Sequence, residues 1–98
     1  MEVIDMTFPV LEGKVAIITG AAMGMGEATA RLFADAKAKV VIADFNEEKG
    51  REVTKSIQAN GGDASFFKVD VSNSEQVQAM VKFTVETYGK LDVAVNNA

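Results

Sequence analysis

Gly20, Gly24 and Gly26 stand between a short apolar run, Val15-Ala-Ile-Ile-Thr19, and a helical pattern that starts near Met25. A turn without side chains that opens a helix brings backbone N–H groups and the positive end of the helix dipole to an anion at contact distance. That is the chemistry of a cradle for a dinucleotide pyrophosphate. The spacing is not that of a P-loop, because Met25-Gly26-Glu27 stands where a lysine and a hydroxyl would be needed, and ATP-type phosphate transfer is disfavoured. Asp44 lies 24 positions after Gly20, at the end of a second apolar run. A carboxylate there can accept hydrogen bonds from both ribose hydroxyls of an adenosine and repels a 2′-phosphate, which favours NAD over NADP. The competing reading of Asp44 is a solvated strand-end carboxylate. Asp70 closes a third run, and Asn96-Asn97 closes a fourth.

Positioning these residues requires strands and helices in strict alternation. Val15–Thr19 is β-branched without polar alternation, the pattern of a parallel strand covered on both faces. Met25, Ala28, Thr29, Leu32, Phe33 and Ala36 fall on one helical stripe, which is expected to pack on the sheet. Val40–Asp44 reads as the second strand, and Asn46 followed by Glu47 and Glu48 reads as the N-cap and acidic first turn of a helix running to about Asn60. Gly50, Val53 and Ile57 make its apolar stripe, and Asn60-Gly61-Gly62 its stop. Ser65–Asp70 is the third predicted strand, followed by a capping box at Ser72-Asn-Ser-Glu75 and a stripe of Val77, Met80, Val81, Thr84, Val85 and Tyr88. Gly89 closes that helix and Leu91–Asn96 is the fourth strand.

The order βαβαβαβ with crossover-length helices predicts an α/β, Rossmann-like parallel sheet of order 3-2-1-4, truncated after the fourth strand. The chain reverses direction beside strand one, so the glycine turn, Asp44 and Asp70 should meet at one crevice at the carboxyl ends of the strands. Residues 1–13 lack periodicity and read as an irregular arm; residues 14–98 read as a partial dinucleotide-binding domain.

Composition narrows the function classes. Ninety-eight residues with 48% hydrophobic content fit one small globular domain. A net charge of −4 without a Lys/Arg cluster offers no footprint for nucleic acid. Cysteine and histidine are both absent, which removes disulfides, thiolate nucleophiles and the commonest metal ligands, so no metal site is expected. Met1-Glu-Val-Ile-Asp-Met6 has acids where a signal peptide carries Lys or Arg, and no membrane segment is read; the expected location is the cytoplasm.

Thr19-Gly-Ala-Ala-Met-Gly-Met-Gly26, Asp70-Val71 and Leu91-Asp-Val-Ala-Val-Asn-Asn-Ala98 together resemble the N-terminal half of a short-chain dehydrogenase/reductase, over residues 11–98. The resemblance implies that the turn from Gly20 through Gly24 to Gly26 holds a pyrophosphate with a backbone contact from Met25, and that Asp44 takes the adenosine ribose. It further implies that Asp70 and the Val71 backbone meet the adenine edge, that Asn97 lines the cofactor's ribose, and that Asp92 is structural. Met23 stands where a basic residue would favour NADP, so its neutrality agrees with Asp44.

The activity implied is hydride transfer between an alcohol or carbonyl substrate and a nicotinamide cofactor, NAD(H) in this case. The family performs it with a serine, a tyrosine and a lysine four residues after the tyrosine, downstream of the Asn-Asn-Ala-Gly segment. No catalytic residue is assigned among these 98 residues. Tyr88 is followed by Gly89-Lys90-Leu91-Asp92, the wrong spacing for that lysine, and reads as a packing residue. Two functions follow: the cofactor-binding part of a short-chain oxidoreductase whose catalytic half is absent, or a non-catalytic nucleotide-binding half-domain that pairs with another chain. Truncation is expected to leave strand four with an unpaired edge and the outer surface of the last helix, Phe83 included, uncovered, favouring a homo-oligomer or a complementing chain.

Overall fold

The computed structural model describes residues 11–97. The arm read over 1–13 therefore lies outside the described residues as far as Val10, and its end, Leu11–Gly13, forms a turn in which Lys14 N–H donates to the Leu11 carbonyl at 2.9 Å. The elements are β1 (Val15–Thr19), α1 (Gly24–Asp35), β2 (Lys39–Asp44), α2 (Glu47–Ala59), β3 (Asp63–Lys68), α3 (Ser74–Tyr88) and β4 (Val93–Val95). All strand pairs are parallel, in the order β3-β2-β1-β4. The predicted topology is the observed one. No helix among the described residues is long and apolar enough to cross a membrane.

Central β1 is buried along its whole length, as is β2 from Val40 to Ala43, which explains their unbroken apolar runs. Side chains alternate between two layers. Ala16, Ile18, Val40, Ile42 and Ala64 enter one buried cluster with Ala30 and Ala34 of α1 and Val53 and Ile57 of α2. Ile17, Val41 and Ala43 enter the other with Val69 and Met80, and Phe67, Val77, Phe83, Tyr88 and Leu91 pack around it.

Helix α1 departs from the expected stripe. Its buried residues are Gly26, Ala30 and Ala34, whereas Leu32 is 53% and Met25 81% exposed. The helix lies so close to β1 that a Cβ on Gly26 would run into the Gly20 carbonyl, so only small side chains fit the facing surface. Met25 and Leu32 are displaced outward, while Phe33 packs against the cluster and Ala36 is buried, as the stripe predicts.

The cap of α3 also shifts by one residue. Asn73, not Ser72, accepts from Gln76 N–H at 3.1 Å, because the Ser72 hydroxyl donates to Asp70 Oδ1 at 2.6 Å. Gln76 in turn accepts from Asp70 N–H at 2.8 Å, joining the end of β3 to the first turn of α3. Gly89, at φ 86°, ends α3 as predicted. Strand β3 starts two residues earlier than expected, at Asp63 directly after Gly62, and β4 is shorter than expected. Phe83 faces inward against Phe67, with ring centroids 5.2 Å apart; Val81 and Val85 are the apolar residues that α3 exposes.

Candidate functional site

The glycine turn is built by conformations that L side chains rarely adopt. Gly20 and Gly24 have φ of 62° and 61°, which bends the chain sharply from β1 into α1. Gly20 also lies against Asn97, whose carbonyl oxygen would sit 2.9 Å from an added Cβ. Met23 occupies the N-cap of α1 with an extended backbone and makes no side-chain cap. The helix thus opens on first-turn N–H groups directed at whatever approaches the turn. Met23 and Met25 point their side chains into solvent, so Met25 can contribute only its backbone there.

Asp44 ends β2 beside this turn. Its Oδ2 accepts from Ala22 N–H at 3.0 Å and its Oδ1 from Asn46 N–H at 2.8 Å. One carboxylate therefore fixes the glycine turn to the end of β2 while each oxygen keeps further acceptor capacity. Asp44 is thus more than a solvated strand-end carboxylate: it is a structural tie with lone pairs to spare.

Gly20, Asp44, Asp70 and Val71 come together, with Phe45 and Val69, around one open cleft of about 220 Å³ at the carboxyl ends of the strands. The Asp70 carboxyl is held below its ordinary value of 3.8, first by the Ser72 hydroxyl and then by the Ser72 N–H. Both bonds fall on Oδ1, and Oδ2 keeps its acceptor capacity. Asn97, just past β4, does not line this cleft but lies against Gly20: its N–H donates to Thr19 Oγ1 at 3.1 Å, and that hydroxyl donates to Asn96 Oδ1 at 2.8 Å. Gly24, Met25 and Gly26 border the site through α1 rather than lining this cleft.

Two contributors escaped the sequence reading. Buried Thr19 ties the ends of β1 and β4 together, and its place as the last residue of a buried apolar strand was the available signal. Phe45 lines the cleft while 67% exposed; an aromatic directly after a strand-end acid was the signal there.

Asp92, expected to be structural, exchanges bonds with Val15: Val15 N–H donates to its Oδ2 and its own N–H donates to the Val15 carbonyl, both at 2.9 Å. Tyr88 lies at the amino ends of the strands, away from the cleft. Its hydroxyl is 2.7 Å from Ser65 Oγ and donates to Asp63 at 3.2 Å, and burial pushes its pKa upward, the reverse of activation.

This geometry agrees with what the chain is similar to. The family model for short chain dehydrogenase matches residues 14–98. Short-chain dehydrogenase reductase 3a of Arabidopsis thaliana is 56% identical over 88 residues, an alignment covering 90% of this chain and 34% of that protein. An uncharacterized oxidoreductase of Thermotoga maritima is 50% identical over 88 residues, with the same coverage of 90% and 34%. The crystal structure of a hydroxysteroid dehydrogenase from Escherichia coli superposes with a TM-score of 0.89 at 40% identity, over 92% of this chain and 38% of that one. The chain thus spans about a third of the length of the curated relatives it matches. A family match over nearly the whole chain, on a sheet of the same topology, shows that this chain belongs to the short-chain dehydrogenase family of oxidoreductases.

Proposed function

We propose that this chain is the NAD(H)-binding part of a short-chain oxidoreductase acting on an alcohol or carbonyl compound. The observation that carries the reading is the convergence of Gly20, Asp44, Asp70 and Val71 on one cleft beside the opening turn of α1. A nicotinamide cofactor, when bound, supplies the hydride acceptor or donor. The chain's own residues bind and orient it: the turn from Gly20 through Gly24 to Gly26 holds the pyrophosphate with the N–H groups that open α1, Met25 contributing its backbone, while the Ala21 and Ala22 N–H groups stay on Ala43 and Asp44. Asp44 accepts from the adenosine ribose, Asp70 Oδ2 and the Val71 backbone meet the adenine edge, and Asn97 lines a ribose from the β4 side. The donor set fits the group, since α1 offers an uncapped first turn and Asp44 retains acceptor capacity.

Hydride transfer itself belongs, in this reading, to serine, tyrosine and lysine residues outside these 98, in a cytoplasmic protein. Calorimetric titration with NAD⁺, NADP⁺ and S-adenosylmethionine tests it. NAD⁺ should bind at least ~10-fold more tightly than NADP⁺, the direction set by carboxylate–phosphate repulsion, and the methyl donor should not bind. Equal affinities for the two dinucleotides would remove the role given to Asp44. The 98-residue chain alone should form no NADH from alcohols.

A second reading is favoured by Val81 and Val85, 38% and 42% exposed on α3. It holds that the chain is a non-catalytic nucleotide-binding half-domain that pairs with a copy of itself or another chain. A sharp monomer in size-exclusion chromatography with cooperative melting would exclude it.

A further inference from the structure

We propose that Met23 is a peroxide-sensitive modification site whose sulfoxide caps α1 and closes the glycine turn to an anion. The inference rests on that turn being the pyrophosphate cradle. Helices α2 and α3 open on Asn46 and Asn73, each of which accepts from a first-turn N–H at 3.1 Å. Helix α1 opens on Met23, whose backbone is extended and whose carbonyl takes the first helical bond from Glu27 N–H, but whose thioether makes no cap. A thioether sulfur is a weak acceptor, so the first-turn N–H groups stay available to a ligand.

Three methionines lie among the described residues, and their accessibility differs. Met80 is buried at 5% exposure, whereas Met23 is 52% and Met25 81% exposed. Met23 also lines an open groove of about 360 Å³ between α1 and α2, which gives a small oxidant a path to its sulfur. A sulfur lone pair attacks one oxygen of hydrogen peroxide, the O–O bond breaks, and the departing hydroxide takes the remaining proton from the transferred oxygen. The thioether becomes a sulfoxide and the peroxide is reduced to water.

The sulfoxide oxygen stands where glutamine carries its side-chain oxygen, accepts strongly and has no proton to give. From the N-cap position it reaches the N–H of Met25 or Gly26, the groups that a cap satisfies. Toward a pyrophosphate it presents only negative partial charge. Met25 is more exposed but lies within the helix, past the cap position, and serves as the control.

The test treats the 98-residue chain with hydrogen peroxide and locates each sulfoxide by peptide mass spectrometry. Met23 and Met25 should be oxidised and Met80 spared. The melting temperature should then rise by about 4 °C, the scale of one gained N-cap in a domain of this size. NAD⁺ and ADP should both bind about 5-fold more weakly, the same free energy read as affinity. Amide exchange at Met25 or Gly26 should slow. Met23→Leu should abolish all of these responses and Met25→Leu should keep them, while methionine sulfoxide reductases for both epimers should reverse them. Undiminished NAD⁺ binding by the oxidised chain, a lowered melting temperature, or the same response in Met23→Leu overturns the inference and leaves the dinucleotide reading intact. A wild-type chain that binds neither NAD⁺ nor ADP overturns both.

Discussion

On one side the sheet meets α1 through glycine and alanine and α2 through Gly50, Val53 and Ile57, whereas on the other it meets α3 through Phe67, Phe83, Met80 and Tyr88. On the first side, Gly26 presses on the Gly20 backbone too closely to carry a Cβ, and a Cβ on Gly50 would force the Phe66 ring to move. The buried cluster there joins all three longer strands to both helices. On the second side the buried set is smaller, large rings bridge the gap, and polar ties such as Tyr88 to Ser65 supplement the apolar contact. The close side is the one that sets the glycine turn. A turn held this close to a helix needs a rigid neighbour at short range, and small residues are the means of achieving it. The looser side has no such demand and tolerates exposed Val81 and Val85.

Substitutions in matched pairs would break or sharpen this contrast. Ile18→Ala should cost about 4 kcal/mol and Met80→Ala about 2 kcal/mol in urea unfolding, both within the usual range for such truncations. Ile18 is fully buried in the close-packed cluster, where neighbours cannot collapse, whereas Met80 lies in the more open one. Equal costs would show that the two faces are equally well packed.

Gly26→Ala should cost about 3 kcal/mol, the upper part of the overpacking range, and should also weaken NAD⁺, because the new methyl displaces the Gly20 turn. No such loss of binding should accompany Met80→Ala, so a titration of each variant separates the roles of the two faces.

Tyr88→Phe should cost about 1 kcal/mol, the scale of a lost hydrogen bond. Because burial, foremost, raises the Tyr88 pKa above its ordinary 10.0, the fold favours the neutral phenol. That stability is complete below pH 10 and is lost as pH rises toward the folded value, so the alkaline loss should flatten in Tyr88→Phe.

Asp92 behaves in the opposite sense. The Val15 N–H, and after it Lys90, holds its carboxyl below the ordinary 3.8, so its contribution is present above that value and is lost as pH falls through the folded one. Asp92→Asn should reduce the acid sensitivity of the β1–β4 pairing, read by amide exchange at Val15. The smallest effect is expected for Val81→Ser with Val85→Ser, within about 0.5 kcal/mol as for surface changes. A loss of several times that would mean the α3 face is covered in solution.

Topology and cleft location were legible because they follow from local signals. Buried parallel strands show as unbroken apolar runs, helix ends show as Asn46 and Gly89, and right-handed crossovers leave one strand order. That Gly20, Asp44, Asp70 and Val71 meet at one cleft was legible for the same reason, since each lies within a few residues of a strand end. Helix α1 was misread because apolar periodicity assumes that the larger side chains face the core. That assumption fails where two backbones approach closely, and Gly26, Ala30 and Ala34 take the face instead.

By itself, the sequence determined the alternation of strands and helices, the strand order and the glycines, Gly20, Gly24, Gly61 and Gly89, at which the backbone turns left-handed, though not Lys37 at φ 74°, because these depend on short-range sterics and on patterns of burial. Only the tertiary structure decided which oxygens of Asp44 and Asp70 are already engaged, that Thr19 links β1 to β4, and that Phe45 stands at the cleft under Lys68. The ties of Ala22 to Asp44 and of Asn97 to Thr19 span 22 and 78 positions and are set by which strand ends lie side by side, so no local pattern encodes them.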